Sequence, residues 1–250
     1  MCDECGCGQA DGKQHDRDHN HDHTPRVLEI QRNVRAANDA FAEKNRGWLR
    51  EHGNVMVNLI SSPGAGKTTL LEHTLRSLAP THSLAVIEGD QQTDNDARRI
   101  SKTGVAVVQI NTGASCHLNA HQVGHALQDL SPAQGTLIFV ENVGNLICPA
   151  GFDLGQHADV TVLSVTEGDD KPEKYPEAFR SARAVVLSKI DLLPHVDFDT
   201  ARCERFARAL NPELPIFHLS AKTGDGLDPW LDWLRRLSSA EPAPGEDNEK

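Results

Sequence analysis

The chain has 250 residues, with 25 Lys+Arg against 36 Asp+Glu and a formal net charge of −11, room for one α/β domain of ordinary size with short appendages. An acidic balance of this kind argues against sequence-independent nucleic-acid binding, which runs on phosphate neutralisation by Lys and Arg. No apolar run approaches the roughly 18–20 residues that a membrane span needs, so neither nucleic acid nor membrane is an expected partner.

Residues 1–25 contain almost no aliphatic side chains and are expected to be a disordered, Cys/His-rich metal-binding tail. They lack the apolar core of a secretory signal, so a cytoplasmic location is expected. The six cysteines then read as metal ligands or reactive thiols rather than disulfides. Residues 26–53 form an expected amphipathic helix, with Val27, Ile30, Val34, Ala37, Phe41 and Trp48 at helical spacing and Gly53 as a stop. From 54 to 237 short β-branched runs alternate with helical stretches. Strands are expected at 55–60, 84–88, 105–110, 137–141, 160–165, 184–188 and 216–219, and helices include 118–130 and 227–237. Runs this apolar suit strands covered on both faces, so the fold class is α/β, a doubly wound and mostly parallel sheet with ligands outside the carboxyl ends of its strands. Residues 238–250 read as a flexible tail.

The strand 55–60 runs into Ser61-Ser62-Pro63-Gly64-Ala65-Gly66-Lys67-Thr68-Thr69 and an apolar helix start. That is a phosphate-binding loop in strand–loop–helix context. Its backbone N–H groups face phosphate, Lys67 reaches the β- and γ-phosphates, and the Thr68 hydroxyl ligates Mg²⁺. Ser61 stands at the usual first Gly. Glu141-Asn142-Val143-Gly144 leaves the strand 137–141 where GTPases place Asp-x-x-Gly: Glu141 would hold Mg²⁺ through a water and the Gly144 N–H would sense the γ-phosphate. Asp90 is a candidate second Mg²⁺-side carboxylate, or else a loop acid or helix cap. Ser188-Lys189-Ile190-Asp191 resembles the guanine-specifying Asn-Lys-x-Asp motif, with Ser where Asn ties this loop back to the phosphate loop. Asp191 would accept from guanine N1–H and N2–H₂, Lys189 would lie along base and ribose, and Ser220-Ala221-Lys222 resembles the loop that offers a backbone N–H to guanine O6. Together these favour GTP over ATP. No residue is assignable as a base for the attacking water and no arginine finger is evident, so slow hydrolysis is expected.

Three features call for metal chemistry. Cys2, Cys5 and Cys7, spaced by Gly and acidic residues, can close on one soft or borderline ion with the terminal amine as a possible fourth donor, which suits Ni²⁺ with Zn²⁺ as an alternative. Cys116-His117 and Cys148 follow neighbouring strands and converge near the γ-phosphate side, with His121 one turn beyond His117 able to join them. Three ligands leave a tetrahedral site incomplete, to be completed by water or by the same patch of a second chain; a homodimer is favoured. His15, His19, His21 and His23, interleaved with Asp16, Asp18 and Asp22, suit metal storage or capture. Cys203 reads as a packed helix thiol.

Carrying CDECGCG, NLISSPGAGKTTLLE, NTGASCHL, ENVGNLICPAGFDLG and SKIDLLP, the sequence resembles the hydrogenase nickel-incorporation GTPases of the HypB family over residues 1–8 and roughly 27–237. Ser61 and Glu141 agree with this family; Ser188 does not. The resemblance implies a G domain that dimerises with GTP, a high-affinity nickel site at Cys2, Cys5 and Cys7, and a second site at Cys116, His117 and Cys148. It also implies two partners, a small zinc-bearing companion nickel chaperone and the [NiFe]-hydrogenase large subunit. The urease accessory GTPases and a nickel-storage protein with a vestigial G domain are the rival readings.

Overall fold

A computed structural model describes residues 24–91 and 94–239, and the side chains of its first helix from Asn33 onward. Cys2, Cys5, Cys7 and the histidine tract therefore lie outside the described residues, as does nearly all of the C-terminal tail. In chain order the elements are α1 Thr24–Glu51, β1 Val55–Ser61, α2 Lys67–Leu78, β2 Leu84–Asp90, α3 Asn95–Ser101, β3 Ala106–Asn111, α4 Ala120–Leu130 and β4 Leu137–Glu141. They continue with β5 Ala158–Ser164, α5 Lys171–Lys174, α6 Pro176–Arg180, β6 Ala184–Ser188, α7 Thr200–Leu210, β7 Ile216–His218 and α8 Leu227–Ser239. Every expected strand is present.

The strands form one sheet in the order β3-β2-β4-β1-β5-β6-β7, all pairs parallel. β1 lies near the middle, so the loop that follows it is flanked by the carboxyl ends of β4 and β5. Alternate residues of each strand enter opposite layers. Val57, Leu59, Val86, Phe139 and Val160 pack against Leu70, Leu71 and Leu75 of α2 and Trp230 and Leu234 of α8. On the other face Met56, Ile87, Ile138 and Val140 meet Leu49 of α1 and Val123 and Leu127 of α4. A flanking cluster joins Ile60, Leu163 and Leu187 to Phe179 and to Cys203, which is buried and whose thiol burial pushes up to about 12. Cys203 is thus a packed helix thiol. Among the described residues no helix is long and apolar enough to cross a membrane.

α1 forms where expected, but it docks with a different face. Val34, at 53% exposure, and Phe41 point outward, while Asn38, Ala42, Asn45 and Leu49 are buried. The reason is polar. The Asn38 side chain donates to the Asp153 carbonyl and accepts from the Ala120 N–H, and Asn45 Nδ2 donates to the carbonyls of Ala120 and Leu154 at 2.8 and 2.9 Å. Arg46 pairs with Asp153 at 2.6 Å. These bonds satisfy the Ala120 N–H, one of the donors a helix start leaves open, and carbonyls of the 153–155 loop that no regular element serves, and add a second donor to the Ala120 carbonyl. The approach is close enough that a Cβ at Gly155, whose φ is +86°, would lie 2.5 Å from the Ala42 carbonyl oxygen.

Removal of the Asn45 carboxamide takes a buried donor from the carbonyls of Ala120 and Leu154. Asn45→Ala is expected to lower unfolding free energy by about 2–3 kcal/mol, whereas Val34→Ser stays within about 0.5 kcal/mol of the parent. Urea unfolding of the two variants checks this; the reverse order would show that the outward stripe, not the asparagines, seats the helix.

Candidate nucleotide and metal site

The loop between β1 and α2 turns through Gly64 and Gly66, both at positive φ, and Gly66 is the left-handed residue from which α2 starts. The buried Lys67 amine donates to Ser61 Oγ at 2.8 Å, and the Thr68 hydroxyl donates to Glu141 Oε1 at 2.6 Å across 73 residues of chain. Ser61, at the position where a glycine is usual, therefore parks the lysine amine. Thr69 accepts from Arg99, which also pairs with Glu72 and Asp96, so this guanidinium is committed to bracing α3 against α2.

Glu141 has a neighbour that the motif reading missed. Register pairs it with Glu88 on the adjacent strand, and both carboxylates are buried. Burial first, and the charge of Glu141 second, push Glu88 up to about 8. Burial likewise raises Glu141 to about 7, against the pull of Lys67 and the Thr68 hydrogen bond. Burial lowers the Lys67 pKa. One oxygen of each carboxylate, Oε2 in both, has no hydrogen-bond partner. Buried orphan carboxylate oxygens beside a Thr hydroxyl are the donor set a hard divalent cation uses, so these residues fit Mg²⁺. An acid closing the apolar run LAVIE was the available signal for Glu88. Asp90 closes β2; its Oδ1 accepts from Gln91 N, and its carbonyl accepts from Thr112 N. The N-cap position of α3 is held by Asp94, not Asp90, and the Asp94 carboxylate pairs with Arg98.

At the other side of the loop, Ser188 Oγ donates to the Ala65 carbonyl at 2.7 Å and Lys189 Nζ to the Gly64 carbonyl at 2.6 Å. Ser188 thus ties its loop to the phosphate loop from the position where Asn is usual. Lys189 takes a left-handed conformation at φ 60° that swings its side chain over Gly66. Ser220 is fully buried and donates to Asp191 Oδ1 at 2.6 Å, orienting that carboxylate. Ala221 and Lys222 follow in the turn that Gly224 N closes onto the Ser220 carbonyl.

From Glu141 the chain passes under the phosphate loop. A Cβ at Gly144 would lie 3.0 Å from Pro63 Cα, and Asn145 bridges Ser61. Ile147 is exposed at 64%, and Cys148 follows. One ligand atom each from Cys116, His117 and Cys148 lies within 4.8 Å of the others. His117 rests on the Phe152 ring at 4.0 Å, and burial lowers its pKa, which favours the neutral imidazole over the charged one. Geometry does not bring His121 to this group. α4 starts at Ala120 rather than Leu118, because Asn119 is extended and builds a capping box with Gln122. His117 is therefore outside the helix, and His121 points to His125 instead.

Asn142 joins the two halves. Its buried Oδ1 accepts from the N–H groups of Leu118, at 3.1 Å, and Val143, while its Nδ2 donates to Asn58, which donates to Asp159. Burial pushes Asp159 up to about 6. The Leu118 side chain in turn covers Gly89, where a Cβ would lie 2.8 Å from it. The loop carrying Cys116 and His117 is thus pinned to the ends of both β2 and β4.

Comparison with known proteins agrees with this layout. The CobW/HypB/UreG nucleotide-binding domain matches residues 55–218. The hydrogenase maturation factor HypB of Azotobacter vinelandii is 52% identical over 211 residues, 84% of this chain and 70% of the relative. The crystal structure of HypB from Archaeoglobus fulgidus superposes with a TM-score of 0.76 at 41% identity, over 81% of this chain and 99% of that one. HypB from Helicobacter pylori, solved in complex with nickel, gives 0.75 at 38% identity, covering 81% and 95%.

Glu88 and Glu141 carry raised folded-state pKa values of about 8 and about 7. Between the ordinary carboxylate range and those values the folded chain without cation binds more protons than the unfolded chain, so its stability falls as pH rises from about 5 to 8. Glu88→Gln is expected to flatten that fall, as is saturating Mg²⁺ with GTP, which binds the charged carboxylates. Melting temperatures across this range, with and without Mg²⁺ and GTP, provide the check; an unchanged slope in the variant would contradict the shared burial of charge.

Proposed function

The chain belongs to the CobW/HypB/UreG family and, within it, to the HypB hydrogenase maturation factors, and from that premise we propose that it is a GTP-hydrolysing nickel metallochaperone. The supporting observation is the continuity of residues 141–148: one end sits on Thr68 and the phosphate loop, and the other carries a thiol of the Cys116–His117–Cys148 group.

In this reading the phosphate-loop backbone around Gly64, Ala65 and Gly66 receives the β- and γ-phosphates. Lys67 leaves Ser61 to reach them, and Thr69 flanks Thr68 at the start of α2. Thr68, with Glu141 and Glu88 behind it and Asp90 at the rim, would hold Mg²⁺, which when bound offsets phosphate charge. Asp191, fixed by Ser220, reads the guanine N–H donors; Lys189 lies along the base, and the Ala221–Lys222 turn faces guanine O6. Arrival or loss of the γ-phosphate shifts Gly144 against Pro63, and the same segment moves Cys148 relative to Cys116 and His117. Asn142 carries the shift to the Leu118 backbone as well.

Nickel is the cargo. Cys2, Cys5 and Cys7 form its tight site, and the internal group its nucleotide-sensitive one, which can also take Zn²⁺. Exposed Ile147 beside a three-ligand group suits a GTP-promoted homodimer in which the same patch of a second copy completes the shell. The recipient is the [NiFe]-hydrogenase large subunit in the cytoplasm, with a zinc-bearing nickel chaperone as companion. The storage alternative is opposed by Lys67, Thr68 and Asp191 all standing in bonded, site-facing positions.

Lys67→Ala is expected to lower GTP turnover on the order of 100-fold or more while Ni²⁺ titration still finds the tight site. A strain lacking the chain should regain hydrogenase activity with the parent and not with this variant. Loss of the tight nickel site in Lys67→Ala would refute the separation of the two chemistries, and rescue of urease instead would favour the urease reading.

A further inference from the structure

Ser188 is the last residue of β6, buried, and its Oγ donates to the Ala65 carbonyl at 2.7 Å. Asp191, three residues on, is half-buried, and its Oδ1 is held by the Ser220 hydroxyl. Lys189 between them turns toward the phosphate loop, where its Nζ donates to the Gly64 carbonyl. The next backbone donor, the Ile190 N–H, is taken by the Leu219 carbonyl.

A hydroxyl carries one proton, whereas the carboxamide usual at position 188 carries two on its nitrogen. The Ser188 proton is spent on the phosphate loop, so toward a purine this residue presents lone pairs alone. An asparagine could serve the Ala65 carbonyl with one N–H and an acceptor on the base with the other.

The inference rests on the guanine reading of the site given above. In that orientation Asp191 takes N1–H and the 2-amino group, and O6 meets the Ala221–Lys222 turn. Next to O6 along the same side of the purine comes N7, an acceptor without a proton, directed at the end of β6 that Ser188 ties to the phosphate loop. Two lone pairs facing one another give no attraction, and a C–H at that ring position loses nothing.

We propose that Ser188 is a specificity-determining residue that makes the site indifferent to N7, so that the chain selects its nucleotide on the six-membered edge of the base alone. It then accepts 7-deazaguanine nucleotides at least as readily as guanine nucleotides.

The test is calorimetric titration of the full-length protein with Mg²⁺ and, in turn, GDP, 7-deaza-GDP and IDP, which lacks the 2-amino group. The parent should bind 7-deaza-GDP at least as tightly as GDP, and IDP about 10- to 100-fold more weakly, the loss of a hydrogen bond to a charged acceptor. In Ser188→Asn, 7-deaza-GDP should fall roughly 3- to 10-fold below GDP, the range of one neutral hydrogen bond. A parent that binds 7-deaza-GDP more than about 3-fold more weakly than GDP, a margin within the range of one hydrogen bond, would overturn the proposal while leaving the guanine reading in place. Equal binding of the two nucleotides by a folded Ser188→Asn variant would also overturn it, since the residue would then not decide the matter. Equal binding of IDP and GDP, or no binding of GDP, would overturn the guanine reading itself and the proposal with it.

Discussion

The carboxamide of Asn142 is the interaction on which the rest of the site depends. It is buried, its oxygen serves two backbone N–H groups, and its nitrogen continues into Asn58 and Asp159 beneath the sheet ends. Inside a core each of those groups is expensive to leave without a partner. The end of β4 and the loop before α4 therefore cannot part without breaking a connected polar network. The strand end beside the phosphate loop and the loop carrying Cys116 and His117 are held as one unit by a side chain that belongs to neither group.

Around that unit the polar groups of the phosphate loop find partners within the chain. Lys67 rests on Ser61, Thr68 on Glu141, and burial raises the carboxyl pKa of both Glu88 and Glu141. Each partnership is one that Mg²⁺ and phosphate would replace. In the proposed mechanism the energy gained on binding them is what moves the segment that leads to Cys148. Only a difference in affinity between two arrangements can do so.

Most of the fold is legible in the sequence because parallel strands covered on both faces leave unbroken apolar runs, and because the phosphate loop dictates its own strand and helix. Less legible is what depends on partners distant in sequence. The burial of Asn38 and Asn45 rather than Phe41 follows from carbonyls 75 to 115 residues away, which periodicity cannot see. The start of α4 depends on a local competition that the Asn119–Gln122 capping box wins, and with it goes the placing of His121. Glu88 matters through strand register, since only pairing sets it beside Glu141. The tie made by Ser188 depends on a backbone carbonyl of the phosphate loop that a motif comparison does not include.

Thermodynamic linkage offers the most direct measurement of whether the two halves are coupled. Ni²⁺ affinity of the internal group, determined in a variant lacking the thiols of Cys2, Cys5 and Cys7, should differ about 5- to 150-fold between the chain bound to a non-hydrolysable GTP analogue with Mg²⁺ and the chain bound to GDP. Ni²⁺ should in turn shift the ratio of the two nucleotide affinities by the same factor. Equal nickel affinity in both states would contradict the coupling.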